Sequence, residues 1–554
     1  MEVSNDNNKV IENEKKNIDL KDNKEEKLEN KKKSSNDKTE KKKIKDEKIN
    51  NTLDEIDKTI LKLKIDKITS DKTLENEKED LSNYFIPTNA YEKAKENKSK
   101  LLLIGRKGAG KTAIYYKLIE DFSDNPKNYN INLKPDSLEL LENIDFSSLY
   151  KSQSSKKTFF YTVWKTVIYS KLIQVIKTRI VEKSTQKCII SEEENEILDF
   201  CTQNEELIKQ NFFGIIKSLS VKLSEHTIES PKILEDLHIN YLRPLTNLLK
   251  KYFENMKYIK LNILSDNLDK SWNPQSNLEL QSSMILTLLE VDSQIKNELS
   301  NERKDNIMVL NYIFLREDIY NYIFKEANEP DKLRTISFKI NWEDSPLKLK
   351  ELVELKLSHI LSKDNEDSPE NIWDDLFVQI DKNKSVFDII KDIIILRPRD
   401  IIFFIQALFE SAANNNRNKV SINDFEYAVN QYTEFLNGNL IAEMKAEYPK
   451  VQDVLKIFQL YKIIKYKDYI SKLKSQIGYN STQSQRLTEA LFKNGYLTAI
   501  DKTAKMYCRT YKELETALSK KNFFIFKHNI YLFVNNRYIC DSRNNKSLIK
   551  KLTL

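Results

Sequence analysis

The chain has 554 residues, which is more than one hydrophobic core usually accommodates, so we expect two or three domains. Hydrophobic residues make up 40% and charged residues 32%, and the longest apolar runs are too short to cross a bilayer, which predicts a soluble cytoplasmic protein without a membrane partner. The net charge of +7 is small for this length, and the four cysteines form no CxxC pair, so neither a zinc cage nor a disulfide framework is expected.

The N-terminal segment is a candidate disordered tail. Residues 1–50 consist almost entirely of Lys, Glu, Asp and Asn, and such a segment cannot bury enough apolar surface to offset the entropy lost on ordering. Four apolar residues with helical spacing follow between residues 53 and 63. They fit either a short coiled coil with another chain or a helix docked on its own domain. We assign residues 1–78 to a disordered, low-complexity tail with a short helix.

A glycine-rich loop follows the first apolar segment, residues 100–104. Residues 105–112, Gly-Arg-Lys-Gly-Ala-Gly-Lys-Thr, match the pattern G-x-x-x-x-G-K-[ST] in full. Three of the seven glycines in the chain lie here, where they let backbone N–H groups surround phosphate oxygens. We expect Lys111 to reach the β- and γ-phosphates of ATP and Thr112 to ligate Mg²⁺. The residues predicted to contact the nucleotide are Gly105, Gly108, Ala109, Gly110, Lys111, Thr112 and Ala113.

Two further apolar segments, residues 258–264 and 307–315, end near polar residues suited to the same chemistry. Asp266 follows the first of them, where a P-loop protein holds Mg²⁺ through a carboxylate. Asp269 lies three residues later and is a candidate for orienting or deprotonating the attacking water. We predict that Asp266 is a metal ligand together with Thr112, and that both aspartates act in catalysis. The alternative is a pair of surface aspartates in a turn.

Arginines stand at two places where a γ-phosphate could be sensed. Arg316 follows the third apolar segment, and Arg399 lies in an Arg-Pro-Arg sequence at the predicted start of a helix. We assign both arginines to catalysis together with Lys111, because a guanidinium on the γ-phosphate would report its loss. In the alternative interpretation, each is a surface arginine paired with a neighbouring carboxylate such as Asp318 or Asp400.

The last part of the chain is strongly basic. Residues 441–554 contain 22 Lys or Arg and 9 Asp or Glu, an excess of 13, although the whole chain carries only +7. The order of predicted helices and strands resembles a winged helix-turn-helix, with a recognition helix capped by Ser481 or Thr482 and with Gln485 and Arg486 near its start. We expect double-stranded DNA as a partner of this segment. The alternative is a module that binds protein or packs on the rest of the chain.

The glycine loop, the D-x-L-D sequence at residues 266–269 and the two arginine positions together resemble the STAND and ORC-like branch of the AAA+ ATPases. More narrowly, GRKGAGKTAI, DNLDKSW and LRPRD resemble a poorly characterised bacterial P-loop ATPase family that is often associated with defence gene clusters. The resemblance covers roughly residues 82–435. It implies an α/β fold with a P-loop NTPase core at residues 79–345, a helical lid at 346–438 and a winged-helix-like domain at 439–554.

The sequence departs from that family pattern at Asn267, where an acidic residue usually follows the first aspartate. Asp269 would have to take its role, so we expect slow hydrolysis. No second-chain arginine finger stands out, although Arg303 and Arg334 are candidates. The resemblance implies a conformational-switch ATPase that forms a homo-oligomer, acts with a protein effector encoded nearby and defends against phage or mobile DNA. The alternatives are an ATP-licensed DNA-binding regulator or loader and a non-hydrolysing interaction scaffold.

Overall fold

The computed structural model describes most of the chain between residues 80 and 527. The predicted tail at residues 1–78 lies outside the described residues, and so do Asp269 and Arg303. The described segments are residues 80–134, 153–225, 230–268, 278–300, 306–327, 329–362, 371–381, 383–417, 419–444, 448–460, 463–493, 496–501, 506–508 and 523–527.

A parallel sheet forms the centre of the first domain. Its strands are β1 (Lys100–Gly105), β2 (Asn128–Leu133), β3 (Ile259–Ser265), β4 (Ile307–Arg316) and β5 (Ser337–Lys339). They are ordered β2-β3-β4-β1-β5, and β1, β3 and β4 coincide with the three apolar segments of the sequence. Because the strands are parallel, their carboxyl ends meet at one edge, where Gly105 is in register with Arg316.

Helices cover both faces of the sheet, as its near-continuous apolar strands require. Side chains along β1 alternate between two cores: Leu102 and Ile104 belong to one, and Leu101 and Leu103 to the other. The helices of this domain are α1 (Leu81–Tyr84), α2 (Asn89–Lys95), α3 (Lys111–Ser123), α4 (Gln153–Thr185), α5 (Glu192–Gln203), α6 (Glu205–Lys209), α7 (Phe212–Glu225), α8 (Ser230–Leu237), α9 (Arg243–Phe253), α10 (Leu278–Leu299), α11 (Glu317–Glu326) and α12 (Pro330–Ile336), with a π-helical turn at His238–Leu242. The segment between β2 and β3 is helical and consists of α4 to α9 with the π-helical turn.

The segment after Trp342 is helical, as the sequence predicts. Its helices are α13 (Leu347–Ser362), α14 (Ile372–Leu376), α15 (Val386–Ile393), α16 (Pro398–Asn414) and α17 (Ile422–Met444). They share one hydrophobic core with β1 and α3, so this lid packs directly on the sheet. α17 extends beyond that core: Leu436 belongs to it, whereas Leu440 and Met444 belong to the core of the next domain. No helix in the described segments has the length and apolar character needed to cross a bilayer.

The C-terminal domain combines helices with an antiparallel sheet. Its elements are, in chain order, α18 (Val451–Leu460), β6 (Ile463–Lys465), α19 (Tyr466–Lys472), a π-helical turn at Leu473–Ile477, α20 (Ser481–Lys493), β7 (Leu497–Asp501), β8 (Met506–Cys508) and β9 (Phe523–Lys527). The strands pair in antiparallel fashion in the order β6-β9-β7-β8. Three helices thus precede the main strands, and the short strand β6 joins the same sheet.

The prediction that Ser481 or Thr482 caps α20 is wrong. Asn480 is the capping residue: its Oδ1 accepts a hydrogen bond from the backbone N of Gln483 at 2.8 Å. The Gln483 side chain reciprocates, because its Oε1 accepts from the backbone N of Asn480 at 3.0 Å. This reciprocal pair satisfies two backbone donors that a helix start leaves open. Arg486 is exposed on α20, and its role in a recognition helix stays a prediction.

Candidate functional site

The connection between β1 and α3 is a glycine loop at the carboxyl edge of the sheet. Gly108 and Gly110 have φ values of 81° and 91°, in the left-handed region that residues with a Cβ rarely adopt. Gly110 is also the N-cap residue of α3, and Ala109 N donates to Arg106 O at 3.0 Å, which closes the turn. The loop therefore offers backbone N–H groups and the positive end of a helix at one place, the combination that binds phosphate.

Lys111 is the first residue of α3, and its side chain folds back onto the loop. Its Nζ donates hydrogen bonds to Gly105 O at 3.1 Å and to Arg106 O at 3.3 Å. These are neutral acceptors, and a phosphate bound by the loop would offer charged oxygens that form stronger hydrogen bonds. Lys111 Nζ can thus exchange its two carbonyl acceptors for the oxygens of a bound anion.

Thr112 and Asp266 come together although 154 positions separate them in the chain. Thr112 Oγ1 donates to Asp266 Oδ2 at 2.9 Å. Asp266 is only 1% exposed, and its backbone N donates to Leu133 O at 3.1 Å, so its position is fixed by the end of β2. Two adjacent oxygen ligands fit Mg²⁺, which in nucleotide sites takes one or two protein oxygens together with phosphate and water. Among the described residues, no group of three or more His, Cys, Asp or Glu could hold a metal ion by itself.

Asn267 adopts a backbone conformation that suits asparagine. Its φ is 61°, in the left-handed region where asparagine is several-fold enriched and longer side chains are disfavoured. The chain therefore turns sharply directly after Asp266. The role of Asp269 as the group that orients water stays a prediction, because this residue lies outside the described segments.

Arg316 lies beside the loop, but its guanidinium is held by a neighbour. It ends β4 in register with Gly105, and its Nε and Nη2 donate to the two carboxylate oxygens of Asp318 at 3.0 and 2.6 Å. The Asp318 side chain is 43% exposed, so water competes for this ion pair and little free energy holds it together. The structure therefore contains the carboxylate pair of the alternative interpretation, and the sensor role stays a prediction.

Arg397 fixes the lid to the outside of the loop. Its Nε and Nη2 donate to the Asp400 carboxylate at 2.6 and 2.9 Å, and its Nη1 donates to Lys107 O at 3.0 Å. Burial disfavours the charged guanidinium, but the Asp400 carboxylate beside it more than compensates and raises the pKa of Arg397 above its ordinary value. A buried, bidentate and permanently charged pair of this kind serves to position the start of α16.

Arg399, the predicted sensor of the lid, has a different partner. Its backbone N lies 3.4 Å from Gly108 O, so the first turn of α16 touches the loop. Its guanidinium stacks over the Phe435 ring, 4.8 Å from the centroid. Burial lowers the pKa of Arg399, although the group remains cationic at any physiological pH. The structure brings Arg399 to the loop but gives it an aromatic contact rather than a carboxylate.

Sequence reasoning missed two residues at the loop, one that contacts it from outside and one within it. Trp342 follows β5, and its Nε1 donates to Ala109 O at 2.9 Å in the protein interior. Arg106 lies within the motif, yet its side chain was given no role, and it lines the cavity described below. No local pattern marks the Trp342 contact, since 233 positions separate the two partners.

Gly108→Ala is expected to weaken ATP binding about tenfold, because an L-residue in left-handed backbone costs about 1–2 kcal/mol. The new Cβ would also lie 2.6 Å from Arg399 Cβ, closer than real carbon atoms approach. Titration with a fluorescent ATP analogue and thermal unfolding measure the two effects. Gly214→Ala is the matched control, because its Cβ would meet the nearest atom at 3.4 Å in an ordinary helical position. Equal affinities of the two variants would contradict the close packing of α16 on the loop.

Comparison with protein families places one known domain in the chain. Residues 347–440 match the FunZ-associated C-terminal helical domain. This segment begins with α13 and ends within α17, so the match covers the lid.

Two curated relatives align with parts of the chain. The transposon gamma-delta 80.3 kDa protein of Escherichia coli (strain K12) is 23% identical over 402 residues, which cover 70% of this chain and 53% of that protein. The chain therefore spans about half the length of that relative. Allergen Alt a 2 of Alternaria alternata is 23% identical over 149 residues, which cover 26% of this chain and 76% of that protein.

Solved structures of similar arrangement are distant. The Walker-type ATPase PABY2304 of Pyrococcus abyssi has 14% identity and a TM-score of 0.32, covering 78% of this chain and 93% of that one. The ORC2 protein of Aeropyrum pernix has 11% identity and a TM-score of 0.30, covering 81% and 93%. The strand order and the glycine loop define the fold directly: it is an α/β P-loop fold followed by a helical segment and by a C-terminal domain with a four-stranded antiparallel sheet.

Proposed function

We propose that this protein binds ATP with Mg²⁺, hydrolyses it slowly and works as a conformational switch. One observation carries the proposal: Thr112 and Asp266 meet at 2.9 Å directly beside a loop whose Gly108 and Gly110 are left-handed. Hydrogen-bond donors for phosphate and oxygen ligands for the metal thus lie in a single site, as the binding of a nucleoside triphosphate requires.

In this proposal, Lys111 and the loop N–H groups bind the β- and γ-phosphates, and Thr112 and Asp266 hold Mg²⁺. The metal would neutralise charge on the phosphate oxygens. Asp266 is almost fully buried, so its carboxylate is held in place before any ligand arrives. Preorganisation of this kind lowers the cost of binding.

Slow hydrolysis is supported by the position after Asp266. The amide of Asn267 cannot accept a proton from water as a carboxylate can, and its left-handed backbone disfavours a glutamate there. We assign the water-orienting role to Asp269, which follows two residues later. A chain that retains ATP for long times is suited to switching rather than to turnover.

The lid would report the nucleotide state through Arg399 and Arg316. Both guanidinium groups have partners that a phosphate can replace: an aromatic ring for Arg399 and the exposed Asp318 carboxylate for Arg316. A γ-phosphate would draw them toward the loop, and its loss would return them to these partners.

The proposal is tested by measuring the mass of the purified protein with ATP, ADP and no nucleotide, together with phosphate release. We expect Mg²⁺-dependent ATP binding, a nucleotide-dependent change in assembly or shape, and a turnover below about 1 per second, the low end for ordinary enzymes. Binding without any phosphate release would favour the scaffold alternative. No ATP binding at millimolar concentration would refute the proposal.

A DNA-binding regulator is the second candidate, and the winged-helix-like domain with its 13 excess positive charges favours it. Repeating the mass measurement with duplex DNA at rising salt separates the two, because phosphate contacts weaken steeply with salt. The biological setting that we propose is conflict with phage or mobile DNA, with assembly into a homo-oligomer and a partner protein as effector. The similarity to a relative named for a transposon supports a connection with mobile DNA.

A further inference from the structure

One face of α17 meets the arginines that surround the glycine loop. Tyr432 Oη donates to Asp400 at 2.7 Å, and Asp400 in turn holds Arg397. Phe435 lies one turn further along and stacks under Arg399. Since residues three and four apart share a face of a helix, the positions that continue this stripe are those near 439 and 443.

The stripe continues into a cavity where the loop, the lid and the C-terminal domain meet. The cavity lies against the last two turns of α17, and residues of all three parts line it. Its lining includes Arg106, Arg397, Leu436, Asn439, Glu443 and Tyr496. Arg106 is the second residue of the glycine motif, so this cavity connects the loop directly to the end of α17 and to the C-terminal domain.

Glu443 brings an unsatisfied carboxylate oxygen to this place. Its Oε1 is buried and accepts no hydrogen bond from any residue that the structure describes. A buried acceptor without a partner is unfavourable, and the other charged residues that line the cavity are Arg106 and Arg397. Burial, followed by the charge of Arg397, lowers the pKa of Arg106, and the Glu443 carboxylate acts in the opposite direction. Glu443 therefore stabilises the charged Arg106 side chain.

The main chain of Arg106 is tied to the residue expected to bind phosphate. Lys111 Nζ donates to Arg106 O at 3.3 Å and to Gly105 O at 3.1 Å. Glu443 thus favours an arrangement in which Lys111 Nζ is hydrogen-bonded to the carbonyl groups of the loop. ATP would have to displace Lys111 from these carbonyl groups, so it competes with that arrangement.

Gly438 lies inside the continuous helix α17, between residues of its two cores, and no close packing requires a glycine there. A Cβ added there would meet no atom within 4 Å, and its φ is not in the left-handed region. Glycine inside a helix is less favourable than alanine, and this chain has only seven glycines in all. Gly438 lies between Leu436 of the lid core and Leu440 of the C-terminal core, which is where a bend would let one core move against the other.

We propose that Glu443 is a positioning residue that opposes nucleotide binding through the attraction of its charge for Arg106 across the cavity, and that α17 bends at Gly438 to withdraw it. The C-terminal domain then restrains the nucleotide site when it is docked and moves away when ATP binds. This inference rests on the proposed function, because it assumes that the loop binds ATP.

The test uses the full chain and equilibrium titration with a fluorescent ATP analogue. Glu443→Gln is expected to lower the Kd for ATP about fivefold, the lower end of ordinary coupling between sites. Glu434→Gln is the matched control, because Glu434 is exposed on the same helix, and its Kd should equal that of the wild type. In the Arg106→Gln background, Glu443→Gln should have no further effect. A general loss of structure would raise the Kd, so it cannot imitate the expected decrease.

Hydrogen exchange tests the hinge separately. ATP should increase exchange of the α20 amides in the wild type, and Gly438→Ala should reduce that increase while raising the unfolding temperature, since alanine favours helix. An unchanged or raised Kd in Glu443→Gln, additive effects with Arg106→Gln, or an undiminished exchange response in Gly438→Ala would overturn the inference. Failure of the wild-type chain to bind ATP at all would instead refute the proposed function.

Discussion

Lys111→Ala is expected to weaken ATP binding about 100-fold, because removing hydrogen bonds to a charged phosphate costs up to about 3 kcal/mol. In the structure, Lys111 Nζ donates to the carbonyl groups of Gly105 and Arg106, which are weaker acceptors than phosphate. The Lys111 ammonium can therefore exchange these carbonyl acceptors for the phosphate oxygens of the nucleotide, which form stronger hydrogen bonds. Titration with labelled ATP measures the effect directly.

Two further variants make this experiment specific. Lys93→Ala removes an exposed lysine of α2 and should leave the affinity unchanged, which controls for the loss of one positive charge. Lys111→Arg keeps the charge but not the compact ammonium, so it should bind ATP more weakly than the wild type. If Lys111→Ala and Lys93→Ala bind ATP equally well, the nucleotide does not occupy this loop.

Asp266→Asn is expected to lower Mg²⁺-dependent ATP hydrolysis by at least about 100-fold, since the metal contributes several kcal/mol of charge stabilisation in the transition state. Asparagine has the shape of aspartate and can still accept the hydrogen bond from Thr112 Oγ1, so the buried position should remain folded. The loss of the negative charge weakens metal binding, and the similar size of asparagine leaves no cavity at this position. Phosphate release measured across a Mg²⁺ titration should show a higher Mg²⁺ requirement as well as a lower maximum.

Asp124→Asn is the corresponding control, because Asp124 is exposed at the end of α3 and far along the helix from the loop. Its hydrolysis and its Mg²⁺ requirement should match those of the wild type. ATP binding measured without Mg²⁺ should be similar in all three proteins. Wild-type hydrolysis in Asp266→Asn would remove the metal-ligand assignment and leave only the phosphate-binding part of the proposal.

The sequence predicts the strands that carry the site better than those that flank it. β1, β3 and β4 are continuous apolar runs, and each ends in polar residues that suggest chemistry. β2 was missed because three of its six residues are asparagines, and one of them, Asn130, finds its partner only in the folded sheet, where Asn262 Nδ2 donates to its Oδ1 at 2.9 Å. β5 has only three residues, and its pairing with β1 defines it as a strand.

For the site itself, the residue types were predictable and the partners were not. The glycine motif fixes which residues surround a phosphate, but Thr112 and Asp266 meet only because β1 and β3 lie on either side of β4. The pairing of Arg397 with Asp400 could be suspected from their spacing on a helix. Its third contact, to Lys107 O, joins residues 290 positions apart, and no local pattern contains that information.

The Trp342 contact also determines when the loop can acquire its shape during synthesis. Both strands that flank β1, and the hydrogen bond that Ala109 O accepts, come from far downstream: Lys100 pairs with Asn311, Leu102 with Ser337, and Trp342 donates to Ala109. A nascent chain that has emerged only through α10 carries the whole glycine motif but neither strand that flanks it. Contacts between residues so far apart in the chain form late in synthesis. ATP binding therefore indicates that the core has been synthesised completely. A nonsense or frameshift product that ends before residue 342 should not bind nucleotide.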